Sequence, residues 1–200
     1  MKIQQLQYSG KTWKIVTHPD GFERMQCQLV LAFGETPQIS ETPVFNHLER
    51  SYPEACIILC STEANNLFKN VVTVTAVEFD KTAVLCAETC ITDHTDNMEA
   101  GKCLMQQLQP AASANVYILA NGPGINGREL VQGFNANRPG YTCPVNNTPF
   151  FIKRAAGLNK IPGAGAIVAV VLQGREQSCF QMDQYLHVFT TATLNRLATW

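Results

Sequence analysis

The chain has 200 residues, 46% hydrophobic and 16% charged, enough to bury a core without disulfides or metal. Fifteen basic residues face sixteen acidic ones, for a formal net charge of −1. No basic stripe stands out for phosphates, which argues against a nucleic-acid partner. Met1–Tyr8 lacks the basic stretch and apolar run of a secretory signal. Ala164–Leu172, the longest strongly apolar run, is too short to span a bilayer. A cytoplasmic protein with no membrane span is therefore expected.

Two short strands open the chain, near Ile3–Tyr8 and Thr12–Val16, joined through Ser9-Gly10. Gln28–Phe33 (QLVLAF) reads as a buried strand. Thr42 followed by Pro43 starts a helix with Val44, Phe45, Leu48 and Tyr52 on one face, and Pro53 ends it. Ala55–Cys60 (ACIILC) is the next buried strand. Val71–Phe79 and Ala83–Ile91 flank Asp80-Lys81, a spacing that predicts a hairpin.

Asp96 and Glu99 form a capping-box-like start for a helix stopped by Pro110, with Met98, Leu104, Met105 and Leu108 on one face. Val116–Ala120 is a third buried strand. It runs into a glycine-rich loop, Asn121–Gly127, and a helix carrying Leu130, Val131 and Phe134. Tyr141–Val145 and Phe150–Lys153 look extended. Ala164–Leu172 is a long apolar strand, and Gln181–Thr190 alternates like another.

The order holds a weak repeat. LVLAFG leads to a helix, then CIILCS, then VTVTAVEF; VYILANG leads to a helix, then YTCPVNN, then AIVAVVLQ. Half-repeats at about 28–91 and 115–174 predict an α/β fold of mixed sheets. Strand–helix–strand units should cross right-handed and pair in parallel, and hairpins should add antiparallel pairs.

Ligands of open α/β sheets sit beyond the carboxyl ends of parallel strands. Here that gives Gly34–Thr36, Ser61–Asn66, Asn121–Gly127 and Asn146–Thr148, all rich in Ser, Thr and Asn. The candidate ligand-binding residues are Ser61, Thr62, Asn121, Asn126, Asn146 and Asn147. These types suit hydrogen bonding to a small polar molecule more than acid–base chemistry. They also suit turns and helix starts, and Asn126, three residues before Glu129, reads as a cap as well.

Gly122-Pro123-Gly124-Ile125-Asn126-Gly127 matches G-x-G-x-x-G after a strand, which keeps a nucleotide-dependent enzyme open. The strand that follows ends in Asn146-Asn147, where a dinucleotide site wants an acid for the ribose. Ser61 lacks the flanking glycines of a nucleophile elbow. His18, His47, His94 and His187 are scattered. Each reads as a surface or core histidine, with a haem ligand as the alternative. The eight cysteines contain no Cys-x-x-Cys; the close pairs lie four residues apart, about 13 Å along a strand. They read as small buried hydrophobes.

The segments LVLAFG, YPEACIILCSTEANN and VTVTAVEFD, then NGPGINGRELVQGF and GAGAIVAVVLQG, together resemble the N-terminal part of the FIST sensory family over about Gln28–Gly174. Leu59 stands where that family has glycine, and Pro144–Asn147 replaces its glycine-rich turn. The resemblance implies one domain over 1–200, without the family's C-terminal part and without catalysis. It implies a small-molecule sensor that reports to a histidine kinase or a cyclic-nucleotide cyclase or phosphodiesterase. One branch of the family implies haem and nitric oxide instead.

Overall fold

A computed structural model describes residues 1–62, 70–111, 114–120, 124–136, 150–151 and 155–174. The chain opens with β1 (Lys2–Ser9) and β2 (Thr12–Thr17), a hairpin whose turn residues Gly10 and Lys11 both have positive φ, 55° and 66°. This is the primed turn that matches strand twist, and glycine takes it at no steric cost. Then come β3 (Leu29–Glu35), a single helical turn α1 (Thr36–Ile39), α2 (Thr42–Ser51), β4 (Cys56–Thr62), β5 (Val71–Glu78) and β6 (Thr82–Cys90). The second part holds α3 (Asn97–Leu108), β7 (Asn115–Ala120), α4 (Gly127–Asn135), β8 (Phe150–Phe151), β9 (Ala155–Leu158) and β10 (Ala166–Gly174).

Two sheets form, ordered β2-β1-β5-β3-β4-β9 and β6-β10-β7-β8. The first strand–helix–strand unit pairs in parallel as expected, β3 with β4. In the second, β7 pairs in parallel with β8, and the strand expected at Tyr141–Val145 lies outside the described residues. In each sheet the first strand of that pair takes an antiparallel neighbour on its other side, β5 or β10. That neighbour in turn pairs antiparallel with β1 or β6. The pairing repeat is therefore β1-β5-β3-β4 against β6-β10-β7-β8.

The expected hairpin between Val71–Phe79 and Ala83–Ile91 does not form: β5 and β6 pair in different sheets. Asp80-Lys81 carries the chain from one sheet to the other. The Gly34–Thr36 segment is likewise no loop, since Gly34 and Glu35 finish β3 and Thr36 begins α1. Met98 is not on the buried face of α3. It is 37% exposed, and Asn97, Ala100 and Gly101 join Leu104, Met105 and Leu108 on that face instead.

Strand alternation sorts the apolar side chains into three layers. Leu29, Leu31, Phe33, Ile58 and Cys60 of the first sheet meet Leu119, Val168, Val170 and Leu172 of the second. On the outer face of the first sheet, Val30, Ala32, Leu59 and Val74 pack under Val44, Leu48 and Tyr52 of the α2 segment. On the outer face of the second, Ile167, Ala169 and Val171 pack under Leu104 of α3 and Phe134 of α4. The domain is a sandwich of helix, sheet, sheet and helix. Each fully buried leucine or phenylalanine contributes roughly 1.5–3 kcal/mol.

Register places the strand ends. Tyr8, Val72, Gly34, Ser61 and Ala155 lie in one row across the first sheet. In the second sheet Ala120 pairs with Phe151 and Ile167. Three residues separate Phe151 from Ala155, four Cα steps that reach at most about 14 Å. The carboxyl ends of β3, β4 and β7 thus share one edge of the sandwich.

Candidate ligand-binding site

Of the six residues expected to bind ligand, three lie outside the described residues: Asn121, Asn146 and Asn147. Thr62 ends β4 at the shared edge. Ser61 is fully buried, and its Oγ donates to the Ala155 carbonyl at 3.2 Å, fastening β4 to β9. Asn126 caps α4: its Oδ1 accepts from the N–H groups of Arg128 and Glu129 at 3.1 and 3.4 Å. This satisfies donors that a helix start leaves free. The backbone N–H of Asn126 is held by Asn97 Oδ1 at 2.9 Å, which ties α4 to α3.

At the same edge, on the outer face of the first sheet, the β1–β2 hairpin and α2 line an open cavity of about 610 Å³. Tyr8 and Trp13 are register partners and form its aromatic wall, with ring centroids 5.0 Å apart. His47 stacks on Trp13 at 4.3 Å with the rings 16° from parallel. Pro43, Asn46, His47 and Arg50 recur at three- and four-residue spacing, so they share the face of α2 opposite Val44 and Leu48. In the sequence, the apolar face of this helix is the conspicuous one. The second signal was the 43/46/47/50 spacing together with a tryptophan beside a tight turn.

The rim has a definite electrostatic character. Lys11 and Arg50 bring two cations against one acid, Glu41. Glu41 is engaged, since Tyr8 Oη donates to its Oε2 at 3.0 Å. Burial, then this bond, raises the Tyr8 phenol. Burial and then the nearby Arg24 guanidinium lower His47, which favours its neutral ring. The cavity therefore offers flat ring surface, amide and hydroxyl groups from Asn46 and Ser51, and a small excess of positive charge.

Three of the four histidines lie among the described residues. His18 Nδ1 is tied to Gln4 Nε2 at 2.6 Å, and His94 Nε2 to Thr89 Oγ1 at 2.6 Å. His47 lies flat on an indole in a cavity with a charged rim. His187 lies outside the described residues. Among the described residues no group of three or more His, Cys, Asp or Glu could hold a metal ion, and no helix is long and apolar enough to cross a membrane.

Two pseudo-repeated α/β halves, packed sheet to sheet with helices outside and parallel-strand ends along one edge, define a two-sheet α/β module. Residues 28–150 match the FIST N domain, so the chain belongs to that family of sensory domains. The match runs from just before β3 to the start of β8; the N-terminal hairpin, β9 and β10 lie outside it. No curated protein matches the chain.

Proposed function

We propose that this chain is a non-enzymatic, cytoplasmic sensory domain. It binds a small organic anion with a planar portion in the cavity between the β1–β2 hairpin and α2. A partner signalling protein, a histidine kinase or a cyclic-nucleotide cyclase or phosphodiesterase, reads the occupied state. Family membership supports the sensory role. The observation that carries the ligand class is the cavity itself, with an aromatic wall and a rim of two cations against one engaged acid. Lys11 and Arg50 would pair with a carboxylate or phosphate, and Trp13 would cover the planar part. Occupancy would draw the hairpin toward α2, and a partner preferring that arrangement would respond.

Trp13 is its own reporter. The chain has two tryptophans, and Trp200→Phe leaves one. Titrating this variant with a panel of small aromatic carboxylates and phosphates should change Trp13 emission saturably. Arg50→Gln should weaken the hit at least tenfold. If Thr62→Val with Asn147→Leu abolishes binding while Arg50→Gln leaves it intact, the ligand sits at the strand-end loops. A Soret band on haem reconstitution, or thermal stabilisation by NAD, FAD or ATP alone, would favour the haem or the nucleotide reading instead.

A further inference from the structure

Two cysteines from opposite sheets meet. Cys56 opens β4 in the first sheet, and Cys86 lies midway along β6 at the edge of the second. Their thiols are hydrogen-bonded to each other. Both side chains pack against the inter-sheet core, yet both are partly accessible. The other described thiols are placed differently. Cys27 is fully buried and donates to the carbonyls of Leu29 and Val77. Cys60 is sealed in the core. Cys90 and Cys103 are paired with Thr92 and Gln107.

We propose that Cys56 and Cys86 are an oxidisable pair, converted by a hydroperoxide into a disulfide that ties the two sheets together. β4 and β6 approach within 8 Å between Cα atoms. A disulfide spans about 4.4–6.8 Å between Cα atoms, so hydrogen-bonded thiols on strands that come this close lie near bridging distance. The bond would add a side-chain tie to the main-chain crossings that already join the sheets, at Asp80-Lys81, between β8 and β9, and between β9 and β10.

The hydrogen bond couples the two thiols. The Cys86 thiol favours the Cys56 thiolate and holds it below the ordinary range against the opposing effect of burial. The same bond, reinforced by burial, raises Cys86. The pair shares one thiolate, and the step balances in the same way whichever sulfur attacks. When Cys56 attacks, its lone pair takes one peroxide oxygen, the O–O bond breaks, and the thiol proton leaves with the other oxygen as water. The Cys86 sulfur then attacks the resulting sulfenic acid, the S–O bond breaks, and the hydroxyl leaves as water with the Cys86 proton. Two thiols and one hydrogen peroxide give one disulfide and two waters.

The test uses the full chain exposed to stoichiometric hydrogen peroxide, then alkylated, digested and analysed by mass spectrometry. The expected product is a Cys56–Cys86 linked peptide that dithiothreitol reverses. The oxidised chain should melt ~5–10 °C above the reduced one. Cys56→Ser and Cys86→Ala should each remove the link and the shift. Because the linked peptide is read in the unaltered chain, poor folding of either variant does not obscure the result. Oxidation that links Cys56 to another cysteine, or stops at its sulfinic acid with Cys86 still free, overturns the proposal. A linked chain with an unchanged melting temperature overturns the claim that the bond ties the sheets.

Discussion

Gly101 of α3 and Gly133 of α4 each lie against the backbone of the other helix. A Cβ on Gly101 would overlap the Leu130 carbonyl oxygen, and one on Gly133 would overlap the Met98 carbonyl oxygen. These atoms are main chain, so no side chain can swing aside. Gly101→Ala or Gly133→Ala must separate the helices that cover the second sheet. Each should destabilise the fold by about 2–3 kcal/mol, read as a lower urea midpoint. An unchanged midpoint for both would mean that the two helices do not cross at this distance.

Glu78 closes the other end of the first sheet. Its Oε1 accepts from Lys2 Nζ at 2.6 Å and its Oε2 from the Glu23 N–H at 2.7 Å. Burial raises this carboxyl, but the Glu23 N–H and the Lys2 ammonium outweigh it and hold the group below the ordinary range. A depressed carboxyl contributes stability that is present above its unfolded value and lost as pH falls through the folded one. Stability should therefore drop below about pH 4.3. Glu78→Gln should flatten that acid limb and cost about 1–2 kcal/mol at neutral pH. Acid denaturation curves of the two proteins make the comparison.

Asn97 joins α3 to the start of α4. Its Oδ1 accepts from Asn126 N, and its Nδ2 donates to the Gly124 carbonyl at 3.0 Å and to Glu129 Oε2 at 3.4 Å. Only an amide can do both. Asn97→Asp keeps the shape but sets a second acceptor against the carbonyl and the Glu129 carboxylate. It should cost about 2 kcal/mol at neutral pH and recover part of that in acid, when the carboxyls protonate. Asn97→Ala should show no such recovery, and thermal melts at two pH values separate them.

Much of this fold was legible because burial on both faces makes strands read as continuous apolar runs. Leu29–Phe33, Cys56–Cys60 and Ala166–Leu172 are such strands, and the Asp96 cap of α3 forms as its spacing implies. What failed was non-local. A two-residue link such as Asp80-Lys81 looks the same whether its strands pair or part into facing sheets, and only distant packing decides. β9, sequence AAGL, is too short to register. It exists because β4 pairs with it and Asn159 Oδ1 accepts from the Ile57 N–H at 2.8 Å. At the strand ends, asparagine and serine read equally as ligands or as braces, and Asn126 and Ser61 both serve as braces. The Trp13 cavity was hidden because a polar helix face looks like ordinary surface until a hairpin is laid across it.

His47 and Trp13 supply the last prediction. The imidazole is lowered from its ordinary 6.5 by burial and by Arg24, so protonation is disfavoured in the folded chain. A histidine depressed on folding contributes stability that is whole above its unfolded value and declines as pH falls from there toward the folded one. The melting temperature should therefore begin to fall below about pH 6.5, well before Glu78 is reached. The protonated ring would add a third cation beside Lys11 and Arg50. In the single-tryptophan variant, Trp13 emission should titrate with a midpoint below 6.5, and binding of an anion should raise that midpoint. His47→Gln should remove the emission titration and leave only the acid limb of Glu78. An emission midpoint at or above the ordinary histidine value would show that the ring is not held against the indole as drawn.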